Sequence, residues 1–255
     1  MRSANKTPIA ELLSDHSGKS SAPLRVAVVG AGAIGCYLGT MLAQSSDLEL
    51  IFIGRERMAL EAAAYGLTAQ DLDGACYQIA SPCVYTEYEA LRTVQLVLVT
   101  VKALDLQSLL PRLTRYLSAD ALVVAMQNGL AIAPLYQQFL SQPVLRAIVP
   151  FNVVKISPGF YARTTGADMI WQQSDDPRIQ AVLMQLSHQG IQSKQVDDIK
   201  AAEFGKLMLN LNNAINALSD LPLQQQLLQR PYRLVLAAAI KELLELCRRL
   251  NISSY

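Results

Sequence analysis

Three glycines near the amino end of the sequence have the spacing of a phosphate-binding turn. Residues 30–35 read Gly-Ala-Gly-Ala-Ile-Gly and directly follow an apolar run. In such a turn the first glycine permits the tight bend, the second lets backbone amides approach a pyrophosphate, and the third lets helix and strand pack closely. The amino end of the next helix adds unpaired N–H groups. The pattern predicts a dinucleotide site formed by Gly30, Gly32, Ala33, Ile34 and Gly35, with a glycine turn that binds nothing as the alternative.

The residues after the second predicted strand indicate which dinucleotide would bind. This strand spans residues 49–53, and Gly54 and Arg55 follow it, with Glu56 expected in the next helix. NAD-binding domains usually carry an acidic residue at this place, which binds the ribose hydroxyls. A carboxylate would repel a 2′-phosphate, whereas the forked donors of a guanidinium suit it. The sequence therefore favours NADPH over NADH, and the alternative is that Arg55 is an exposed loop cation.

A second set of polar residues lies in an otherwise apolar helical segment near the carboxyl end. Lys206, Asn210 and Asn213 are spaced i, i+4 and i+7 and therefore share one helix face. Glu203 and Asn216 lie near the margins of that face. Asparagine is a poor helix former, so this concentration of amides needs a reason. Either the face lines a cleft that holds a polar ligand beside a proton-donating lysine, or it is an ordinary amphipathic face.

These motifs depend on strands and helices that alternate along the chain. Short β-branched runs and Ala/Leu-rich segments alternate over residues 24–196, which predicts parallel strands joined by right-handed crossovers. From residue 199 onward the pattern is helical, and Asp197 or Asp198 is the expected N-cap. The predicted fold class is therefore α/β, a Rossmann-type doubly wound parallel sheet followed by a shortened all-α C-terminal domain.

The predicted organisation has three parts. Residues 1–22 form a polar tail with a short helix at residues 9–13, residues 23–196 an NADP-binding Rossmann domain, and residues 197–255 a partial helical substrate domain. The tail contains no apolar signal-peptide core, and its acidic residues argue against a transit peptide. These features predict a cytoplasmic protein.

Composition excludes several classes of protein. The chain has 22 Lys+Arg and 21 Asp+Glu, a net charge of +1, so it has no basic surplus to attract nucleic acid. Its 51% hydrophobic and 17% charged residues exclude a disordered chain. No apolar run approaches the roughly 20 residues that cross a membrane. The four cysteines form no CxxC pair and the two histidines lack metal-ligand spacing, which predicts buried free thiols and no metal site.

Taken together, the motifs resemble those of the ketopantoate reductases (2-dehydropantoate 2-reductases), within a superfamily that resembles the 6-phosphogluconate dehydrogenases. The similarity extends from about residue 24 to residue 250. The segments that carry it are GAGAIG (30–35), VTVKA (99–103), QNG (127–129), PFNVV with the following PG and R-x-T (150–165), and EFGKLMLNLNNAINAL (203–218). The set in this order is specific, whereas any single motif is not.

The resemblance implies that NADPH reduces the C2 ketone of 2-dehydropantoate to pantoate, a precursor of coenzyme A. By the matching positions, Lys206 would be the general acid, Asn128 would lie between nicotinamide and substrate, and Lys102 would lie near the cofactor. Asn210 and Asn213 match substrate-binding amides, although the Asn-Pro pair of the family is not reproduced. A partly desolvated lysine has a lowered pKa, and a cation stabilises a developing alkoxide, so Lys206 suits this role.

The helical part departs from the family because it is short. The family's later serine, which holds the substrate carboxylate, and a glutamate near the reacting centre have no counterpart here. Three hypotheses therefore stay open: a ketopantoate reductase, a reductase of a different 2-oxo acid, and a shortened relative that binds NADP(H) with little or no turnover. An apolar helix face is expected to pack on residues 199–218 or on a second subunit of a homodimer. It consists of Leu236, Ile240, Leu243, Leu244 and Cys247.

Overall fold

A computed structural model describes residues 22–130 and 132–252 of the protein, so the polar tail and its short helix lie outside the described residues except for Ala22. The strands are β1 (Leu24–Val29), β2 (Leu48–Ile53), β3 (Leu67–Gln70), β4 (Cys76–Ile79), β5 (Cys83–Tyr85), β6 (Leu96–Val99), β7 (Leu122–Ala125), β8 (Val144–Ile148), β9 (Val153–Ser157), β10 (Phe160–Arg163), β11 (Met169–Gln172) and β12 (Ser193–Val196). The α-helices are α1 (Ala33–Leu42), α2 (Glu56–Tyr65), α3 (Leu106–Tyr116), α4 (Ile132–Gln137), α5 (Pro177–His188), α6 (Ile199–Ser219), α7 (Leu223–Leu228) and α8 (Arg230–Arg249).

The larger sheet has the strand order β12-β11-β8-β7-β6-β1-β2-β5 in the described part of the chain. The six strands from β8 to β5 in this order are parallel, and Val26 of β1 lies beside Leu50 of β2 and Leu96 of β6. At the other edge β11 runs antiparallel to β8, and β12 runs parallel to β11. Because parallel strands end on the same side, the carboxyl ends of β1, β6, β7 and β8 meet at one edge of the sheet.

Helices cover both faces of this sheet. Val26 and Val28 of β1 belong to a core shared with α1 and α5, whereas Ala27 and Val29 belong to a second core shared with α3 and α4. Successive residues of a strand point to opposite faces, so this division shows a sheet buried on both sides. The predicted doubly wound α/β fold is confirmed.

The smaller sheet has the order β4-β3-β10-β9 and packs on α1. Two antiparallel hairpins, β3–β4 and β9–β10, lie side by side through the parallel pair β3–β10. The first hairpin turns at Gly74, which follows Asp73 and has a φ of +87°, a conformation that glycine adopts readily. Tyr37 of α1 donates a hydrogen bond to Asp71 at the end of β3, which ties the smaller sheet to the helix.

After β12 the chain continues as helices. Asp198 caps α6 by accepting a hydrogen bond from the Ala201 N–H at 2.9 Å. This residue lies next to the predicted domain boundary. Leu243 and Cys247 of α8 are buried against Phe204 of α6. Two residues of the predicted apolar face thus pack on α6 within the chain, whereas Leu236, Ile240 and Leu244 are only partly buried. None of the helices in the described residues is both long enough and apolar enough to cross a membrane.

Two local predictions were wrong. Cys76 and Cys83, predicted to be buried, are exposed because they lie on β4 and β5, the outermost strands of the two sheets. Cys36 and Cys247 are buried as predicted. The Gln-rich segment between α6 and α8 forms α7, and its buried Gln226 exchanges two hydrogen bonds with Asn212 of α6.

Candidate functional site

The glycine turn joins β1 to α1 with a backbone conformation that favours glycine at its first position. Gly30 has a φ of +100°, which L side chains rarely adopt. The Gly32 N–H donates to the Gly30 carbonyl at 2.7 Å and closes the turn. Helix α1 then begins at Ala33, so its first N–H groups lie at the carboxyl edge of the sheet. These donors and the helix dipole form an anion-binding end.

Gly35 and Gly32 differ in their surroundings. A Cβ on Gly35 would overlap the Gly30 carbonyl oxygen and lie 2.5 Å from Thr100 Oγ1, so this position has no room for a side chain. The Thr100 hydroxyl donates to the same carbonyl at 2.6 Å. A Cβ on Gly32 would meet no atom within 4 Å. The space in front of Gly32 is open, as close approach of a pyrophosphate requires, and the turn therefore fits a dinucleotide.

Arg55 lies at the amino end of α2, directly beyond β2. Its side chain is 89% exposed, and its Nη2 lies 3.7 Å from Oδ2 of Asp105, which follows β6. Glu56 is the first residue of α2, as expected. Arg55 is not among the residues that line the main cleft. An exposed guanidinium with one long ion pair can still reach a phosphate at the margin of the nucleotide site.

A cleft of about 400 Å³ lies between the carboxyl edge of the large sheet and α6. This volume is within the range of small-molecule sites. The loops that follow β6, β7 and β8 form one side, and α6 forms the other. The cleft brings together most of the predicted site residues outside the glycine turn. They are Lys102, Asn128, Lys206, Asn210 and Asn213, and Ile34 of the turn lines the same cleft.

Lys206 extends from α6 toward the end of β8. Its Nζ donates to the Pro150 carbonyl at 3.3 Å. The side chain is partly buried, and burial lowers the pKa of Lys206 below its ordinary value. Its ammonium can therefore release a proton more readily than that of an exposed lysine, which suits a general acid.

The asparagines of α6 divide into two pairs. Asn210 and Asn213 line the cleft. Asn212 instead pairs with Gln226 of α7, and Asn216 donates to the Leu221 carbonyl at 2.9 Å. The predicted face of Lys206, Asn210 and Asn213 therefore lines the cleft, while Asn212 and Asn216 fix the helix to the segment that follows it.

Asn128 lies in the loop after β7, and the residue before it anchors that loop. Gln127 donates from Nε2 to the Val99 carbonyl at 2.8 Å and accepts from the Tyr136 hydroxyl at 3.2 Å. The Gln127 carbonyl accepts a hydrogen bond from Arg146 at 2.7 Å. The backbone beside Asn128 is thus fixed, while its own side chain is exposed at the cleft.

A buried ion pair joins β8 to α6 beside the cleft. Arg146 Nε donates to Glu203 Oε1 at 2.6 Å, and the two side chains are 3% and 11% exposed. Sequence reasoning missed Arg146 and placed Glu203 only at the margin of a helix face. The available signal was an arginine inside the apolar run 144–149, where a charge is costly unless it is paired.

The glycine turn, the doubly wound sheet and a cleft closed by a helix define a protein of the Rossmann-type α/β class. The family model described as Ketopantoate reductase PanE/ApbA matches residues 26–176, more than half of the chain. The protein belongs to this family, and the resemblance of its motifs is confirmed.

Relatives of known sequence and structure agree with this assignment. The 2-dehydropantoate 2-reductase of Caulobacter vibrioides is 28% identical over 199 residues, which are 76% of this chain and 63% of that protein. The chain thus spans less than two thirds of this curated relative. A PanE/ApbA family ketopantoate reductase from Ralstonia eutropha JMP134 superposes with a TM-score of 0.82 at 26% identity, over 91% of this chain and 76% of that one. D-mandelate dehydrogenase, solved with NADH and anilino(oxo)acetate, shares the fold with a TM-score of 0.78 at 19% identity, over 91% and 76% of the two chains.

Proposed function

We propose that the protein is an NADPH-dependent reductase of a 2-keto acid, with 2-dehydropantoate as the leading substrate and pantoate as the product. The observation that carries the proposal is a single cleft that brings a partly buried lysine, Lys206, together with the amides of Asn128 and Asn210. Family membership supports reductase chemistry, and the curated relative is named for this reaction. Such an enzyme would act in pantothenate and coenzyme A biosynthesis in the cytoplasm.

The chain offers a distinct partner for each part of the cofactor. Backbone N–H groups from Gly32 to Gly35, at the start of α1, would hold the pyrophosphate in the open space of the turn. Arg55 would bind the ribose 2′-phosphate, and Lys102 would contribute a positive charge where the loop after β6 meets the cleft. When bound, NADPH supplies a hydride to C2 of the keto acid.

Lys206 holds the proton that the reduction consumes. As C2 gains the hydride, the C=O π bond opens and the oxygen takes a proton from the Lys206 ammonium, which solvent later replaces. The positive charge also stabilises the developing alkoxide. Because the protonated form is the active one and burial lowers its pKa, turnover should fall as pH rises through that lowered pKa.

The remaining cleft residues orient the substrate. Asn128 and Asn210 can donate to the keto and carboxylate oxygens, while Met126, Val149 and Phe151 form an apolar wall for the substituent on C2. This wall also favours a second candidate, a reductase of a bulkier 2-oxo acid. D-mandelate dehydrogenase, which shares the fold, was solved with anilino(oxo)acetate.

The direct test is NADPH oxidation with a panel of 2-keto acids: 2-dehydropantoate, pyruvate, 2-ketoisovalerate and phenylglyoxylate. We expect the highest kcat/KM with 2-dehydropantoate. A clear preference for phenylglyoxylate would instead support the second candidate, a reductase of a bulkier 2-oxo acid. Tight NADPH binding without oxidation by any member of the panel would contradict the proposal and leave an NADP(H)-binding relative.

Replacing Arg55 should change cofactor preference without affecting the fold. Loss of a charge-assisted hydrogen bond to the 2′-phosphate costs about 1.5–3 kcal/mol. In Arg55→Gln, the Kd for NADPH should therefore rise about 10- to 100-fold, while the Kd for NADH stays unchanged. Arg57→Gln is the matched control, because Arg57 is a similarly exposed arginine of α2 that pairs with Glu61. Equal weakening of both cofactors in Arg55→Gln would show that this side chain does not recognise the 2′-phosphate.

A further inference from the structure

Arg146 forms three hydrogen bonds that connect separate elements behind the cleft. Its Nε donates to Glu203 of α6 at 2.6 Å, its Nη1 to the Ala125 carbonyl at 2.8 Å and its Nη2 to the Gln127 carbonyl at 2.7 Å. The last two acceptors lie at the end of β7 and in the loop that follows it. One planar, buried guanidinium therefore fixes the loop after β7 and helix α6 at a set separation.

Two of these three contacts lie next to a residue of the proposed reaction. Gln127 directly precedes Asn128, and Glu203 lies one helical turn before Lys206, on the same side of α6. Arg146, Glu203, Asn128 and Lys206 also line one small cavity of about 20 Å³ beside the main cleft. Movement of the ion pair would consequently shift the amide and the lysine relative to each other.

We infer that Arg146 and Glu203 are positioning residues, which hold Asn128 and Lys206 in reacting geometry across the junction of β7, β8 and α6. The inference rests on the proposed function for its catalytic meaning. It follows from how strongly rate depends on alignment, since a displacement of about 1 Å at a reacting group can cost about 10²-fold in rate. Neither side chain needs to touch the substrate or the cofactor.

The pair also sets the electrostatic surroundings of Lys206. The charged side chains that line the cavity and the cleft with it are Arg146 from β8, Glu203 from its own helix and Lys102 from the loop after β6. The opposite charges of the ion pair largely cancel at Lys206. Neutralising Glu203 leaves the Arg146 cation uncompensated, which disfavours the Lys206 ammonium and lowers its pKa. Neutralising Arg146 leaves the Glu203 carboxylate uncompensated, which favours the ammonium and raises that pKa.

The same sheet carries a matched control at its opposite edge. Arg178 binds the Asp176 carboxylate and donates to the carbonyls of Gln95 and Asp120, which precede β6 and β7. It therefore repeats the arrangement of Arg146, one carboxylate and two backbone carbonyls, at the amino ends of the strands. Arg178→Met removes an equivalent structural contact away from the cleft.

The experiment compares Arg146→Met, Arg146→Lys, Glu203→Gln and Arg178→Met in the full chain with NADPH and the best keto acid of the panel. We expect kcat to fall about 10²-fold in Arg146→Met and about tenfold in Arg146→Lys and Glu203→Gln. The Kd for NADPH should change less than about threefold, since the turn and Arg55 are untouched. The alkaline limb of the pH profile should move to lower pH in Glu203→Gln and to higher pH in Arg146→Met, and stay nearly in place in Arg146→Lys, which keeps the positive charge. Arg146→Lys and Glu203→Gln keep the test usable if Arg146→Met fails to fold.

A second readout does not need turnover. The pKa of Lys206 can be followed by NMR in protein with ¹³C-labelled lysine, with the signal assigned by its loss in Lys206→Arg. The coupling is supported if the pKa of Lys206 falls in Glu203→Gln, rises in Arg146→Met and changes little in Arg146→Lys, each relative to the wild type. This result would hold even if no keto acid is reduced, in which case only the proposed function fails. If the wild type turns over and the Arg146 and Glu203 variants keep the kcat of Arg178→Met, the positioning role is refuted while the proposed function stands.

Discussion

In Lys206→Ala, kcat for keto acid reduction should fall about 10³-fold, because the variant lacks the group that protonates the developing alkoxide. The side chain reaches the end of β8 from α6, and its Nζ lies within hydrogen-bond distance of the Pro150 carbonyl. That reach places the ammonium among the cleft residues. The measurement is steady-state NADPH oxidation, with the Kd for NADPH determined separately by fluorescence.

The control for this variant is Lys200→Ala, another lysine of α6 that does not line the cleft. Lys200→Ala should keep kcat within about twofold, since a surface substitution changes stability by no more than about 0.5 kcal/mol. Unchanged NADPH binding in Lys206→Ala would locate the loss in the chemical step. A Lys206→Ala enzyme with more than about a tenth of wild-type kcat would rule out this lysine as the proton donor.

The largest expected effect on stability is that of Gly35→Ala. The new methyl group would overlap the Gly30 carbonyl oxygen and crowd the Thr100 hydroxyl. These two groups are hydrogen-bonded to each other, so neither can move away without breaking that bond. Overpacking of this kind costs about 1–3 kcal/mol or more. We therefore expect a free energy of unfolding lower by about 3 kcal/mol in urea titrations, with NADPH binding lost as a consequence.

Gly32→Ala should behave in the opposite way. Its Cβ enters open space and its φ of −83° suits alanine, so the free energy of unfolding should stay the same or rise by about 0.5 kcal/mol. The methyl group would occupy the approach of the pyrophosphate, and the Kd for NADPH should rise about tenfold or more. If Gly32→Ala bound NADPH as tightly as the wild type, the turn would not be the phosphate site.

Much of the architecture could be predicted because its signals are local. The buried runs of β1 and β6 and the Gly30–Gly35 spacing define strand, turn and helix within a few residues of one another. The cleft face of α6 could be predicted from helical periodicity alone. The partners of Asn212 and Asn216 could not be predicted, since they lie in the segment that follows α6 and come into contact only in the folded chain.

The Arg146–Glu203 pair shows why the rest of the site was missed. Its two residues lie far apart in the sequence, and nothing in either segment indicates the other. Their contact exists only because β8 ends beside α6 in the folded chain. Likewise, the exposure of Cys76 and Cys83 depends on which strands lie at the sheet edges, and the order of strands is a property of the whole fold.

The pairing of β3 with β10 has a consequence for how the chain folds. Thr68 lies beside Phe160, so the two hairpins of the smaller sheet come from different halves of the Rossmann region, although each hairpin closes locally. Closing so long a loop carries a large entropic cost before any contact forms, and folding slows as contacts become more distant in sequence. During synthesis β3 and β4 must therefore wait, with one edge unpaired, until β10 has left the ribosome. Completion of this small sheet joins the two halves of the domain.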